Sequence, residues 1–167
     1  MIEANENIAM NRQVTALIIF IVICFIAAGL GSLATTPKIP NWYANLAKPA
    51  WTPPGWVFGP VWTLLYLMMA FAAWLIWRQL GLAGAKVPLA IFAIQLALNS
   101  LWSFIFFGLQ KPGYAAMEIT VLWLAIIATM ITFWRFSSLA GAMLIPYLLW
   151  VSFAAVLNFS IWRMNLS

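Results

Sequence analysis

The stretch Val14–Ala34, VTALIIFIVICFIAAGLGSLA, contains no charged residue. At about 1.5 Å per helical residue it covers a bilayer hydrocarbon core of roughly 30 Å. A secretory leader would carry an apolar stretch of only about 7–15 residues behind a basic segment. This run is longer and follows Glu3 and Glu6, so it reads as a membrane span. Four more runs of the same kind follow, at residues 56–77, 87–108, 114–134 and 142–162. They are continuously apolar, without the alternating polarity of barrel strands. The fold expected is all-α: a five-helix transmembrane bundle. Residues 1–13 form a polar N-terminal tail, and 14–165 form one membrane domain.

Composition agrees. The chain of 167 residues is 66% hydrophobic and 7% charged, against about 25% charged in soluble domains. Its single cysteine, Cys24, excludes an intrachain disulfide and any cysteine-cluster metal site. The absence of histidine removes the commonest general base and metal ligand. No hydrolytic or metal-dependent chemistry is expected, and no metal site. The net charge of +5 is spread as single residues flanking spans, which argues against nucleic-acid binding. Arg12, Arg78, Lys86 and Arg135 fall on one side of the membrane; Lys38, Lys48, Lys111 and Arg163 fall on the other. The positive-inside rule is therefore tied. Between the first two spans, residues 35–55 hold Pro37, Pro40, Pro49, Pro53 and Pro54, and they read as a long, functional loop. The later connections are short, so successive helices are expected to be antiparallel neighbours.

Three features stand out. Of the eleven tryptophans, Trp42, Trp51, Trp56 and Trp62 crowd into one segment. Trp56, Trp77, Trp134 and Trp162 lie at span ends, as an interfacial aromatic belt requires. Trp62 and Trp150 lie within their spans and fit a belt less well. Gln95, Asn99 and Ser103 share a helix face by their i, i+4, i+8 spacing. They are either interhelical hydrogen-bond glue or the polar lining of a cavity. Asn158 faces the same choice, with glue favoured. Glu118, early in the fourth span, is either interfacial or a functional intramembrane carboxylate. Trp62, Tyr66, Ala73 and Trp77 lie close to one face of the second span, and Trp150, Ala154 and Asn158 share one of the fifth. Convergence of these faces with that of the third span would enclose an aromatic pocket suited to a large planar ligand.

The string Lys48–Trp62, KPAWTPPGWVFGPVW, resembles the signature of the TspO/MBR family, which includes tryptophan-rich sensory proteins and the peripheral benzodiazepine receptor. Trp42-Tyr43, Gln95–Asn99 with Trp102 and Phe106–Gly108, Pro146–Trp150, Leu157–Phe159 and Trp162-Arg163 extend the likeness over about residues 14–165. The resemblance implies a bundle, usually homodimeric, whose cavity is capped by the first loop. It implies binding of porphyrin or haem, with no cofactor required, by a membrane receptor or carrier in stress sensing or porphyrin transport. The matching cavity positions are Tyr43, Pro53, Phe58, Trp62, Gln95, Asn99, Trp102, Trp150 and Ala154. In some members, tryptophans corresponding to Trp62 and Trp150 support light-dependent degradation of protoporphyrin IX, so an enzyme is the alternative reading. A purely structural membrane scaffold is the third. The family's proposed cholesterol motif has a tyrosine where Phe159 stands here, which argues against sterol binding. Lys48, beside the loop prolines, is the expected contact for a propionate. Without histidine to ligate iron, metal-free porphyrin is expected to bind about as well as haem. A bacterial cell membrane is the favoured location, or the mitochondrial outer membrane in a eukaryote.

Overall fold

The computed structural model describes residues 2–166, with side chains from Met10 onward; the side chains of Glu3 and Glu6 lie outside the described residues. Every regular element among the described residues is helical. Five helical stretches are long and apolar enough to cross a membrane: Met10–Tyr43, Gly55–Gly84, Lys86–Gly108, Pro112–Phe136 and Ser138–Met164. The chain is a multi-pass integral membrane protein. Its helices are α1 (Ile2–Thr35), α2 (Phe58–Gly84), α3 (Lys86–Ser103), α4 (Pro112–Phe136), α5 (Ser138–Met143) and α6 (Ile145–Met164). The last two together make the fifth span.

The first helix continues past its expected end. Pro37 and Pro40 do not break it, because each falls in the first turn of a new segment: a 3-10 turn over Thr36–Lys38 and a π turn over Ile39–Tyr43. Proline has no N–H to lose there. The irregular part of the first loop shrinks to residues 46–54.

Apolar side chains gain little from leaving lipid for protein, so close packing decides which face turns inward. On α1 the inward stripe is Cys24, Ala27, Gly31 and Ala34, while Ile18, Val22, Ile26 and Leu33 face outward. The stripe lets α1 lie against both α2 and α3. Ser100 Oγ donates to the Ala27 carbonyl at 3.0 Å. A Cβ on Gly31 would come within 3.1 Å of Ser103 Oγ. Ser103 thus belongs to the α1–α3 seam, not to the face of Gln95 and Asn99. The helix α4 packs on α3, α5 and α6, burying Ala115, Ile119, Leu122, Ile126 and Phe133.

The chain kinks at Gly81, within the last turn of α2, where a φ of 65° is left-handed and favours glycine. At the same end, Gly141 lets α5 close on Trp134; a Cβ there would sit 2.5 Å from the indole ring. Trp56, 77% exposed, fits the expected belt, but Trp77 is only 8% exposed, with the Arg12 guanidinium 5.9 Å from its ring centre. Trp77 is packing, not belt.

Candidate functional site

The faces of α2, α3 and α6 do converge, and Tyr147 on α6 is their meeting point. Its hydroxyl accepts from Gln95 Nε2 and from Asn99 Nδ2, each at 2.8 Å. Tyr66 on α2 donates its hydroxyl to Asn99 Oδ1 at 2.5 Å. All four side chains are buried. Such a network ties three helices together where no water competes. The glue reading of Gln95 and Asn99 is met, since their amides join α2, α3 and α6; Gln95 Oε1 is buried without a hydrogen-bonding partner among the described residues.

Above this layer α2 and α6 meet through aromatic rings. Trp62 sits 6.2 Å from Tyr147 and 5.7 Å from Tyr66. One turn along each helix, Phe58 meets Trp150 at 5.8 Å. Phe153 extends the wall, 5.5 Å from Trp150 and 5.7 Å from Trp51 of the first loop. Trp62 and Trp150 are both half-buried and turned into the bundle. The indole Nε1 of Trp150 is buried and has no hydrogen-bonding partner among the described residues. Ala154 packs against the same core, and Pro53 is half-buried in the loop.

A second cluster closes the first-loop end. Trp102 stacks on Phe106 at 5.1 Å, and Trp42 and Tyr43 pack edge-on or tilted against Phe106 and Phe107. Trp102 Nε1 donates to Asn158 Oδ1 at 2.9 Å, and Asn158 Nδ2 donates to the Pro112 carbonyl at 2.8 Å. Asn158 is the glue expected, joining α3, α4 and α6. Thus Tyr43 lies in this cluster, and Trp62, Gln95, Asn99 and Trp150 lie along the aromatic wall and the Tyr147 layer, while Phe58, Phe153 and Trp102 bridge the two. A separate groove at the opposite end of α2, lined by Leu75, Arg78, Gln79 and Ser137, touches none of them.

The ammonium of Lys48 donates to the carbonyls of Tyr43 (2.7 Å), Ala44 (3.1 Å) and Leu46 (2.9 Å) and lies 4.9 Å from the Tyr43 ring centre. Lysine has three donors. All are engaged, so Lys48 folds the loop back on itself, and a propionate must join or displace that set. The loop is also clasped to the end of α6: Ala47 N donates to Asn165 Oδ1 at 3.1 Å, and Asn165 Nδ2 to the Ala47 carbonyl at 2.9 Å.

Sequence reasoning placed Tyr66 on the pocket-facing side of its span but left Tyr147 and Phe153 out of the site. Tyr147 stands three residues before Trp150, a spacing sufficient to place it on the same face.

The model of the TspO/MBR family matches residues 20–163. The tryptophan-rich protein TspO of Chlorobaculum tepidum is 44% identical over 161 residues, covering 93% of this chain and 99% of the relative. The tryptophan-rich sensory protein of Cereibacter sphaeroides is 40% identical over 156 residues, covering 93% and 95%. The human translocator protein is 44% identical over 127 residues, covering 75% of each chain. With five spans, a clasped first loop and an aromatic interior built on the segment that carries the likeness, the chain belongs to the TspO/MBR family.

Proposed function

We propose that this protein is a membrane receptor or carrier that takes a tetrapyrrole such as protoporphyrin IX beneath its first loop, in stress sensing or porphyrin transport. Family membership and the sensory and translocator names of its relatives support the coarser role, a membrane receptor or sensor. The observation that carries the finer reading is the wall of Trp51, Phe58, Trp62, Trp150 and Phe153, which lies between the loop and the Tyr147 layer. Large flat apolar rings gain dispersion and quadrupole contacts on such surfaces. The site residues of this proposal are those nine matching positions, joined by Tyr66, Tyr147 and Phe153. The test is titration of purified protein in lipid nanodiscs with protoporphyrin IX, read by tryptophan quenching. Saturable binding that weakens in Trp62→Ala and Phe58→Ala is expected; linear partitioning equal to that of empty discs sinks the proposal.

A second reading is light-dependent degradation of protoporphyrin IX. The proximity of Trp62 to both Tyr66 and Tyr147 favours it, because neighbouring oxidisable rings relay an electron hole. Illumination in air should then generate a new chromophore with wild-type protein, and little with Trp62→Phe or Trp150→Phe. A homodimer belongs to the proposal as well; crosslinking in native membranes that yields monomer alone counts against it.

A further inference from the structure

The groove at the end of the bundle away from the first loop has a chemistry of its own. It measures about 310 Å³ and is lined by Leu75, Arg78, Gln79 and Ser137. One wall is α2; the other is the corner at Ser137, where α4 passes into α5. Both walls stand at the edge of the hydrocarbon. Arg78 directly follows the second apolar run, and Arg135, two residues before Ser137, closes the fourth. The guanidinium carbon of Arg78 lies 5.2 Å from the centre of the Trp74 ring. Trp74 is fixed in turn, since its Nε1 donates to the Gln13 carbonyl of α1 at 3.2 Å. A guanidinium resting on an aromatic face keeps its fork of N–H donors free at the edge.

Across the groove, Ser137 caps α5. Its Oγ accepts from Ala140 N at 3.2 Å, and its backbone N–H donates to the Phe133 carbonyl at 2.8 Å. The hydroxyl proton is left to donate outward, and Gln79 adds an amide with both a donor and an acceptor. Leu75, one turn deeper on α2, gives the groove an apolar floor, and the exposed Phe136 and Leu139 flank Ser137. No acidic residue lines the groove. A fixed cation, two neutral polar groups and an apolar floor at headgroup depth match a phosphodiester that carries an acyl chain. A soluble anion would leave the apolar part uncovered. A zwitterionic headgroup would bring in an ammonium that no carboxylate of the groove receives.

We propose that this groove binds an anionic glycerophospholipid with a polyol headgroup, of the phosphatidylglycerol type. Arg78 takes the phosphodiester, Gln79 and Ser137 take headgroup hydroxyls, and an acyl chain runs over Leu75. A lipid seated there braces α2 against the α4–α5 corner, where α2 and α5 already pack. The site is independent of the tetrapyrrole reading and stands or falls without it.

The experiment is native mass spectrometry of protein released from nanodiscs that hold equal amounts of phosphatidylglycerol and phosphatidylcholine with identical acyl chains. Wild type, Arg78→Gln, Arg135→Gln and Ser137→Asp are compared. Wild type should retain phosphatidylglycerol over phosphatidylcholine as its first bound lipid by about fivefold, the worth of one arginine at an anionic headgroup. Arg78→Gln should abolish the preference. Arg135→Gln removes the same charge from outside the groove and should keep it. Ser137→Asp keeps a good helix cap but sets a negative charge in the groove, so it should lose phosphatidylglycerol while its thermal unfolding in detergent stays like that of wild type. No preference in wild type, an undiminished preference in Arg78→Gln or Ser137→Asp, or equal losses in Arg78→Gln and Arg135→Gln overturns the inference. Displacement of the lipid by excess inorganic phosphate overturns it too, because the groove would then hold a free anion.

Discussion

Two polar layers cross the interior, and they are built differently. In the layer nearer the first loop, Asn158 takes the Trp102 indole proton and gives one to the Pro112 carbonyl, so the groups that meet there satisfy one another. In the deeper layer, Tyr147 collects Gln95 and Asn99, yet Gln95 Oε1 and, one turn along α6, Trp150 Nε1 have no partners among the described residues. Amides of the same chemistry close one layer and leave the other open. Interhelical polar contacts in membranes are worth about 0.6–2 kcal/mol whichever purpose they serve. The energy of the bonds formed therefore does not separate scaffold from site. The atoms left over do.

The largest expected effect breaks the deeper layer at its hub. Tyr147→Phe removes the oxygen that accepts from both amides and strands two buried donors, at about 1–3 kcal/mol each. Thermal unfolding in detergent should show a loss of about 2–4 kcal/mol; a loss below that of Tyr66→Phe, which removes one bond, would dethrone Tyr147. Next is the closed layer. Trp102→Phe leaves Asn158 Oδ1 without its donor and should cost about 1–2 kcal/mol beyond the change in ring size. Trp150→Phe makes the same chemical change where the N–H has no partner, and should cost less than about 1 kcal/mol. Equal losses in these two variants would erase the distinction between the layers. The smallest effect is at the surface. Lys48→Met should lower stability by under about 1 kcal/mol, while raising protease sensitivity within residues 44–54, because three carbonyls lose their donor.

The five spans were legible because lipid imposes a length and a composition that each run meets by itself. The convergence of α2, α3 and α6 was legible from helical periodicity at Trp62, Asn99 and Trp150. What escaped depends on how helices rotate about one another. Ser103 shares the spacing of Gln95 and Asn99, but the close approach of Gly31 turns it toward α1. Glu118 has the depth of an interfacial residue, and only the packing of α4 on its neighbours shows that it points inward. Lys48 reads as a free cation beside prolines, since nothing in a one-dimensional string reveals that the chain curls its carbonyls around it. Pro37 and Pro40 read as breakers because their placement at the starts of two new turns depends on the backbone path.

The clasp between Asn165 and Ala47 makes the first loop a door with one hinged edge. Residues 39–48 are fastened to α6 through Asn165 and folded onto themselves by Lys48. Residues 49–54 are held more lightly, by the local turn in which Thr52 N and Thr52 Oγ1 both donate to the Pro49 carbonyl and by the edge-on contact of Trp51 with Phe153. Opening residues 49–54 breaks fewer contacts than opening residues 39–48, so under the proposed function entry past Trp51 and Phe153 costs less than entry past Ala47.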